Sequence, residues 1–228
     1  MPGGARAFRL KLMLRLAVVT TIAGGILFGS AGRIDLPFFW AYLAVFTGFA
    51  VVALLTVSRE LLMERSQPAE RGRDNLALLR VAMLLVFLSQ EVVAGLDVGR
   101  FHWSDTVPTL LGVVGLASLL AVFAVWYWAM RTNPFFSAAV RVQRDRGHTV
   151  VSSGPYRFVR HPGYAALMLL GWGGPIALGS WWAVVPHLAV VVLFVRRAAL
   201  EDRVLRKELD GYAAYAEAVR YRVLPGIW

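Results

Sequence analysis

Two short stretches of this sequence hold side chains suited to gripping a small charged molecule. One is Arg160-His161-Pro162-Gly163-Tyr164, and the other is Arg196-Arg197-Ala198-Ala199-Leu200-Glu201-Asp202. On a helix, Arg197 and Glu201 are four residues apart and share a face. A cation and an anion so placed suit a free amino acid moiety, whose carboxylate needs the one and whose amine needs the other. The plainer reading is a surface ion pair, worth about 0.3–0.5 kcal/mol. Pro162 fits the first turn of a helix, where its missing N–H costs little. A helix starting there would offer N–H groups to a carboxylate or phosphate. The plainer reading makes Arg160 and His161 headgroup contacts and Tyr164 an interfacial aromatic. With no cysteine in 228 residues, disulfides and thiolate metal sites are excluded, and no metal site is expected.

The helices expected to carry these residues are hydrophobic. Apolar residues make up 58% of the chain and charged residues 17%, far from the balance of a soluble domain. The apolar residues fall into six blocks, 14–32, 36–57, 76–96, 107–130, 164–178 and 181–195. A spanning helix needs about 20 such residues. The last two blocks are shorter and are separated by Gly179-Ser180, which predicts a tight turn and a helical hairpin whose helices continue beyond their apolar parts.

Charge placement supports this map. If alternate connections lie on alternate sides, one side receives 22 of the 24 basic residues and the other only Arg33 and Arg100. The positive-inside rule puts both termini and the long connection 130–164 in the cytoplasm. The expected fold is therefore an all-α, polytopic membrane helix bundle of about six spans. Residues 1–130 supply four spans, and 131–228 supply the connection, the hairpin and a C-terminal helix. The net charge of +10 lies between apolar blocks rather than on one polar stripe, which suits anionic membrane lipid and argues against nucleic acid. The basic start, apolar middle and small residues near Ala31-Gly32 resemble a signal peptide, but the charge pattern needs no cleavage and a retained first span is expected.

The connection also contains Gln143-Arg144-Asp145-Arg146-Gly147-His148-Thr149-Val150-Val151 and the turn signal Gly154-Pro155. Taken together, Gly154-Pro155-Tyr156, Arg160-His161-Pro162-Gly163-Tyr164, Arg197 with Glu201-Asp202, Tyr212 and Tyr215, and the ending Arg220 to Trp228 resemble the isoprenylcysteine carboxyl methyltransferases and their bacterial relatives. The resemblance covers residues 131–228; the first hundred residues match only in being transmembrane. It implies S-adenosylmethionine bound without a Rossmann domain, in a pocket made by the last two helices and their flanks. No Gly-x-Gly-x-x-Gly follows a strand pattern here.

The resemblance further implies that His148, Thr149, Val150, Val151, Tyr156, Arg160, His161, Pro162, Gly163 and Tyr164 line the cofactor, with Gln143 a candidate. Glu201 would hold the cofactor's amine, and Arg197 would face the acceptor carboxylate, making these two the catalytic pair. The family usually has two glutamates where this chain has Glu201-Asp202, which puts the role of Asp202 in question. The implied acceptor is a lipid-like amphipath such as an isoprenylcysteine, or alternatively a phospholipid amine. Charge placement and composition make the bacterial inner membrane the expected setting, and the oligomeric state stays open. Two rival readings remain: a membrane NADPH-dependent, sterol-type reductase, which shares an Arg-His-Pro entrance, and a non-catalytic membrane protein. Glu91, beside Gln90 inside the third block, is expected to face the bundle interior, as an interhelical hydrogen-bonding group or as a wall of an acceptor cavity. Arg80 is expected to snorkel at the cytosolic end of that helix.

Overall fold

The computed structural model describes residues 2–68 and 72–228, with side chains from residue 7 onward. Arg71 and the side chain of Arg6, both used in the charge map, lie outside the described residues. All regular structure among these residues is helical: α1 (Pro2–Ala31), α2 (Pro37–Thr56), α3 (Arg59–Ser66), α4 (Leu76–Leu96), α5 (Thr109–Thr132), α6 (Pro162–Leu178), α7 (Val184–Glu208) and α8 (Tyr212–Ala218). Four helical stretches are long and apolar enough to cross a membrane: Ala7–Ala31, Pro37–Thr56, Leu76–Phe101 and Thr109–Thr132. They carry large apolar side chains that are half-exposed or more, such as Leu14, Val18, Leu84, Leu110 and Leu120. In water such faces would be costly, whereas lipid solvates them. Helix α6 has 17 residues. Helix α7 has 25, running well beyond its apolar part into Arg196–Glu208, as the short sixth block requires.

The chain forms two compact units, each drawn from three segments. One comprises Met1–Thr56, Ala82–Val122 and Leu169–Val190. Its core includes Leu27, Phe39, Tyr42, Ala94, Leu119, Ala177 and Leu178. Small residues set its helix spacing: a Cβ on Gly115 would collide with the backbone at Ala177, so α5 and α6 touch backbone to backbone. Asp97, fully buried in the π-helical turn Asp97–Phe101, has both oxygens satisfied. It accepts from the Ser104 amide at 2.8 Å and from the hydroxyls of Ser104 and Ser180, each at 2.5 Å. The turn predicted at Gly179-Ser180 is present, with Gly179 at φ +80°. Arg100 donates to the last carbonyls of α1, Ser30 at 2.6 Å and Gly29 at 3.1 Å, where a cation complements the helix dipole. A cleft of about 230 Å³ lies in this unit, lined by Phe38, Phe39, Val98, Gly112 and Leu178 among others, and none of the candidate cofactor residues lines it.

Glu91 does face the interior of this unit and is fully buried. The expected interhelical hydrogen bond is instead made by its neighbour: Gln90 Nε2 donates to the Tyr42 hydroxyl at 3.4 Å, while neither Glu91 oxygen has a hydrogen-bond partner among the described residues.

The second unit comprises Val57–Val81, Phe123–Met168 and Val191–Trp228. Ser58 caps α3 by accepting from the Leu61 amide at 3.3 Å. Arg80 reaches the other end of α3, donating to the carbonyls of Arg65 at 2.9 Å and Ser66 at 3.0 Å, so its charge caps a helix. The connection 133–161 has almost no regular structure and is held by side chains. Arg141 is sandwiched between Glu64, at 3.0 Å, and Asp145, at 2.8 Å. The hydrogen bonds from Asp145 and Glu64 raise the Arg141 guanidinium further above its ordinary range. The core beneath combines Val140, Val142 and Tyr156 with Val204, Leu205, Leu209, Tyr212 and Tyr215.

Candidate functional site

Pro162 opens α6, as its restricted φ favours, and the segment before it is tied to the C-terminal tail. The amide of Arg160 donates to the Tyr221 carbonyl at 2.9 Å and that of His161 to Arg222 at 2.8 Å. The open N–H groups expected at this helix start for an anionic ligand are therefore not all available. The tail closes part of the approach, because buried amides take a backbone acceptor when one is in reach.

Arg160 is similarly committed. It forms a two-pronged ion pair with Asp202, Nε to Oδ1 and Nη2 to Oδ2, both at 2.8 Å. Its Nη1 donates to the carbonyls of Val219 at 2.6 Å, Arg220 at 2.9 Å and Ala216 at 3.3 Å. Asp202, 1% exposed, also receives the Tyr212 hydroxyl at 2.8 Å and Arg222 Nε at 3.0 Å, with His161 Nε2 at 3.4 Å. Burial alone would raise the Asp202 carboxyl; the hydrogen bonds from His161, Arg160 and Tyr212 outweigh it and hold the group well below the usual carboxylate range. The second carboxylate of Glu201-Asp202 is thus a buried hub joining α6, α7, α8 and the tail.

Glu201 differs. Its side chain is 26% exposed, and its Oε2 accepts from the Tyr164 hydroxyl and lies 3.9 Å from His161 Nδ1. Among the described residues nothing donates to its Oε1. The predicted face-to-face pair of Arg197 and Glu201 is not direct. The Tyr164 hydroxyl stands between them, accepting from Arg197 Nε at 2.8 Å and donating to Glu201. Arg197, 7% exposed, completes its contacts with the Ala138 carbonyl and with Asp74 Oδ2, the latter at 2.5 Å. Sequence reasoning misses Asp74. Nothing in its spacing marks it out, because the connection before α4 also carries Glu60, Glu64 and Glu70 among its arginines.

The remaining candidates fall into two groups. Gln143, 1% exposed, donates from Nε2 to the Phe135 carbonyl at 2.7 Å and accepts from Arg146 at 2.5 Å. His148 stacks on Phe135, ring centroids 4.4 Å apart, and its Nδ1 accepts from the Gln143 amide at 3.2 Å, which puts the ring proton on Nε2. Burial, then the charges of Arg141 and Arg146, push the imidazole down to about 4, so it is neutral at pH 7. Thr149 is exposed, whereas Val150 and Val151 pack on the core beneath the connection. Tyr156 belongs to that core, 6% exposed, with its hydroxyl 3.4 Å from the Ala129 carbonyl and its ionisation raised by burial. Gly163 lies under the Phe136 ring, where a Cβ would come within 2.5 Å of two ring carbons. The His161 and Tyr164 rings stack at 5.5 Å.

The structure thus brings Arg160, His161, Tyr164, Arg197 and Glu201 together at the junction of α6 and α7. It gathers Gln143 and His148 around Phe135, and it buries Tyr156 and Gly163 as packing groups. At that junction Glu201 keeps one carboxylate oxygen open, while the neutral His148 ring stacks on Phe135 and Val150 and Val151 pack on the core.

Residues 113–207 match the model of the isoprenylcysteine carboxyl methyltransferase (ICMT) family. Among curated proteins, the cobalt-zinc-cadmium resistance protein CzcN of Cupriavidus metallidurans is 32% identical over 130 residues. That alignment covers 55% of this chain and 55% of the relative, so the chain spans about half the length of the curated protein it matches.

Proposed function

Because residues 113–207 carry the match to the isoprenylcysteine carboxyl methyltransferase family, we propose that this protein is an integral membrane methyltransferase that moves a methyl group from S-adenosylmethionine to the carboxylate of a lipid-like acceptor, such as an isoprenylcysteine. The observation that carries this reading is the chain of contacts Arg197–Tyr164–Glu201 beside His161, which leaves one carboxylate oxygen open where a cofactor amine would dock. The four long apolar helices support the membrane setting. The 22-to-2 split of basic residues supports six spans with both termini and the site in the cytoplasm of a bacterial inner membrane.

When bound, S-adenosylmethionine supplies a methyl already activated by its sulfonium. Glu201 would hold the amine, and Gln143, His148, Thr149, Val150, Val151 and Tyr156 with His161, Pro162, Gly163 and Tyr164 would shape the remainder of the pocket. Arg197 faces the acceptor. Its guanidinium has five N–H groups, three of them used by Tyr164, Asp74 and Ala138, so two remain for an acceptor oxygen. An acceptor carboxylate with a pKa of about 3.5 is ionised at pH 7 and needs no general base. The protein's task would then be to align the acceptor carboxylate with the methyl and to exclude water, the cofactor supplying the activated methyl and a neutral thioether as leaving group. Arg160 acts at a distance, by fixing the start of α6 through Asp202.

One observation favours a second acceptor class. Asp74 already neutralises Arg197, which makes the acceptor side less attractive to anions and suits a phospholipid amine.

Calorimetry of the purified protein with S-adenosylmethionine, S-adenosylhomocysteine and NADPH tests the cofactor. Binding of the two sulfur compounds and not NADPH is expected, and the reverse would favour a reductase. Transfer of labelled methyl to a panel of prenylated carboxylates and phospholipid amines then separates the acceptors. Failure of every sulfur ligand to bind would overturn the proposal.

A further inference from the structure

We propose that Asp74 is the positioning residue for Arg197, supplied to the site by a part of the chain outside the family match. The inference rests on the methyltransferase reading above. The geometry begins with what Arg197 lacks. Its side chain is 6% exposed, and a guanidinium that buried needs a carboxylate partner. The carboxylate four residues on, Glu201, does not provide one directly, because the Tyr164 hydroxyl intervenes. Asp74 Oδ2, at 2.5 Å from Nη1, provides it, and the Asp74 side chain is itself only 12% exposed.

Asp74 is held from the other side. Its Oδ1 accepts the Val140 amide at 2.9 Å, and the adjacent Arg73 amide donates to the Val140 carbonyl at 2.8 Å. The strip before α4 is therefore pinned to the connection that follows α5. With Asp74, Tyr164 and the Ala138 carbonyl each on a different nitrogen, the guanidinium plane is fixed at three points. A planar fork so held presents its remaining donors in one orientation.

The test is a double-mutant cycle of Asp74→Ala and Arg197→Ala, read as kcat/KM for the acceptor, with S-adenosylhomocysteine affinity measured in parallel. Asp74→Ala is expected to lower kcat/KM by about 10²-fold, the scale of a misplaced reacting group, and to leave S-adenosylhomocysteine binding within about threefold. In the Arg197→Ala background the same change should have no further effect. Equal losses in both backgrounds would mean that Asp74 does not act through Arg197, and would overturn the proposal.

A second measurement does not depend on catalysis. Phenylglyoxal modification of Arg197, followed by peptide mass spectrometry, should be at least about fivefold faster in Asp74→Asn, which keeps the side-chain size but loses the charge. An unchanged rate would also overturn the proposal. Absence of S-adenosylhomocysteine binding in the unmutated protein would instead remove the methyltransferase reading, and the modification rates would still decide whether Asp74 holds Arg197.

Discussion

Glu201 and Asp202 are neighbours in sequence and opposites in circumstance. Asp202 is saturated by Arg160, Tyr212 and Arg222, whereas Glu201 keeps an open oxygen and partial exposure. Only the Glu201 arrangement leaves binding free energy for a ligand. Glu201→Ala should therefore weaken S-adenosylhomocysteine binding by at least about 100-fold, the loss expected when one partner of a charged hydrogen-bonded pair is removed. Isothermal titration with circular dichroism of the same sample measures this beside an unchanged helix content. His148 gives a pH dependence. Its imidazole is neutral in the fold down to about pH 4, whereas the ordinary value is 6.5. Between these values the unfolded chain binds the extra proton, so stability rises as pH increases from 4 to 6.5 and is fully present above that. His148→Asn keeps an acceptor for the Gln143 amide but cannot titrate, and should flatten this part of the curve in thermal unfolding. The acid limb below pH 4 should survive, because carboxyls such as Asp202, held below the usual range by their hydrogen bonds, lose their contribution as they protonate.

The elements α6 and α7 are legible as apolar blocks with a tight turn between them, and α7 does extend past its apolar part. The partners of their polar ends are not. Arg160 and Asp202 are 42 residues apart, and the Val219 carbonyl that accepts from Arg160 lies 59 residues away, so no local periodicity reports either contact. The pairing fixes the relative placement of α6, α7, α8 and the tail within one unit. Asp202→Asn leaves a buried guanidinium half-paired and should cost about 3–5 kcal/mol, as breaking a buried ion pair does. The midpoint of thermal unfolding in detergent measures this. Its fall should exceed that for Arg203→Ala, a change at the next position along α7, which is exposed.

At the scale of the molecule, composition and charge spacing carry the proposed topology. A chain without cysteine permits a direct test. Single cysteines replacing Asp35 or Asp105, both exposed, should react with an impermeant maleimide added outside intact cells, and cysteines replacing the exposed Arg144 or Arg203 should react only after lysis. This follows from the positive-inside assignment, since the first two positions lie on the side holding only Arg33 and Arg100. Labelling of all four from outside would break the six-span arrangement.

Pattern along the chain is enough to specify helices where apolar residues run long, a turn at Gly179-Ser180, a helix beginning at Pro162, and a candidate site drawn from the segments around His161 and Glu201. Each of these depends on neighbours in sequence. Packing settled which charges are taken up and which are left over. It committed Arg160 to Asp202, placed the Tyr164 hydroxyl between Arg197 and Glu201, and brought Asp74 across 123 residues to Arg197. The physical reason is that a buried charge must find a counter-charge wherever the packed chain offers one. That choice is made by proximity in space, which spacing along the chain does not encode.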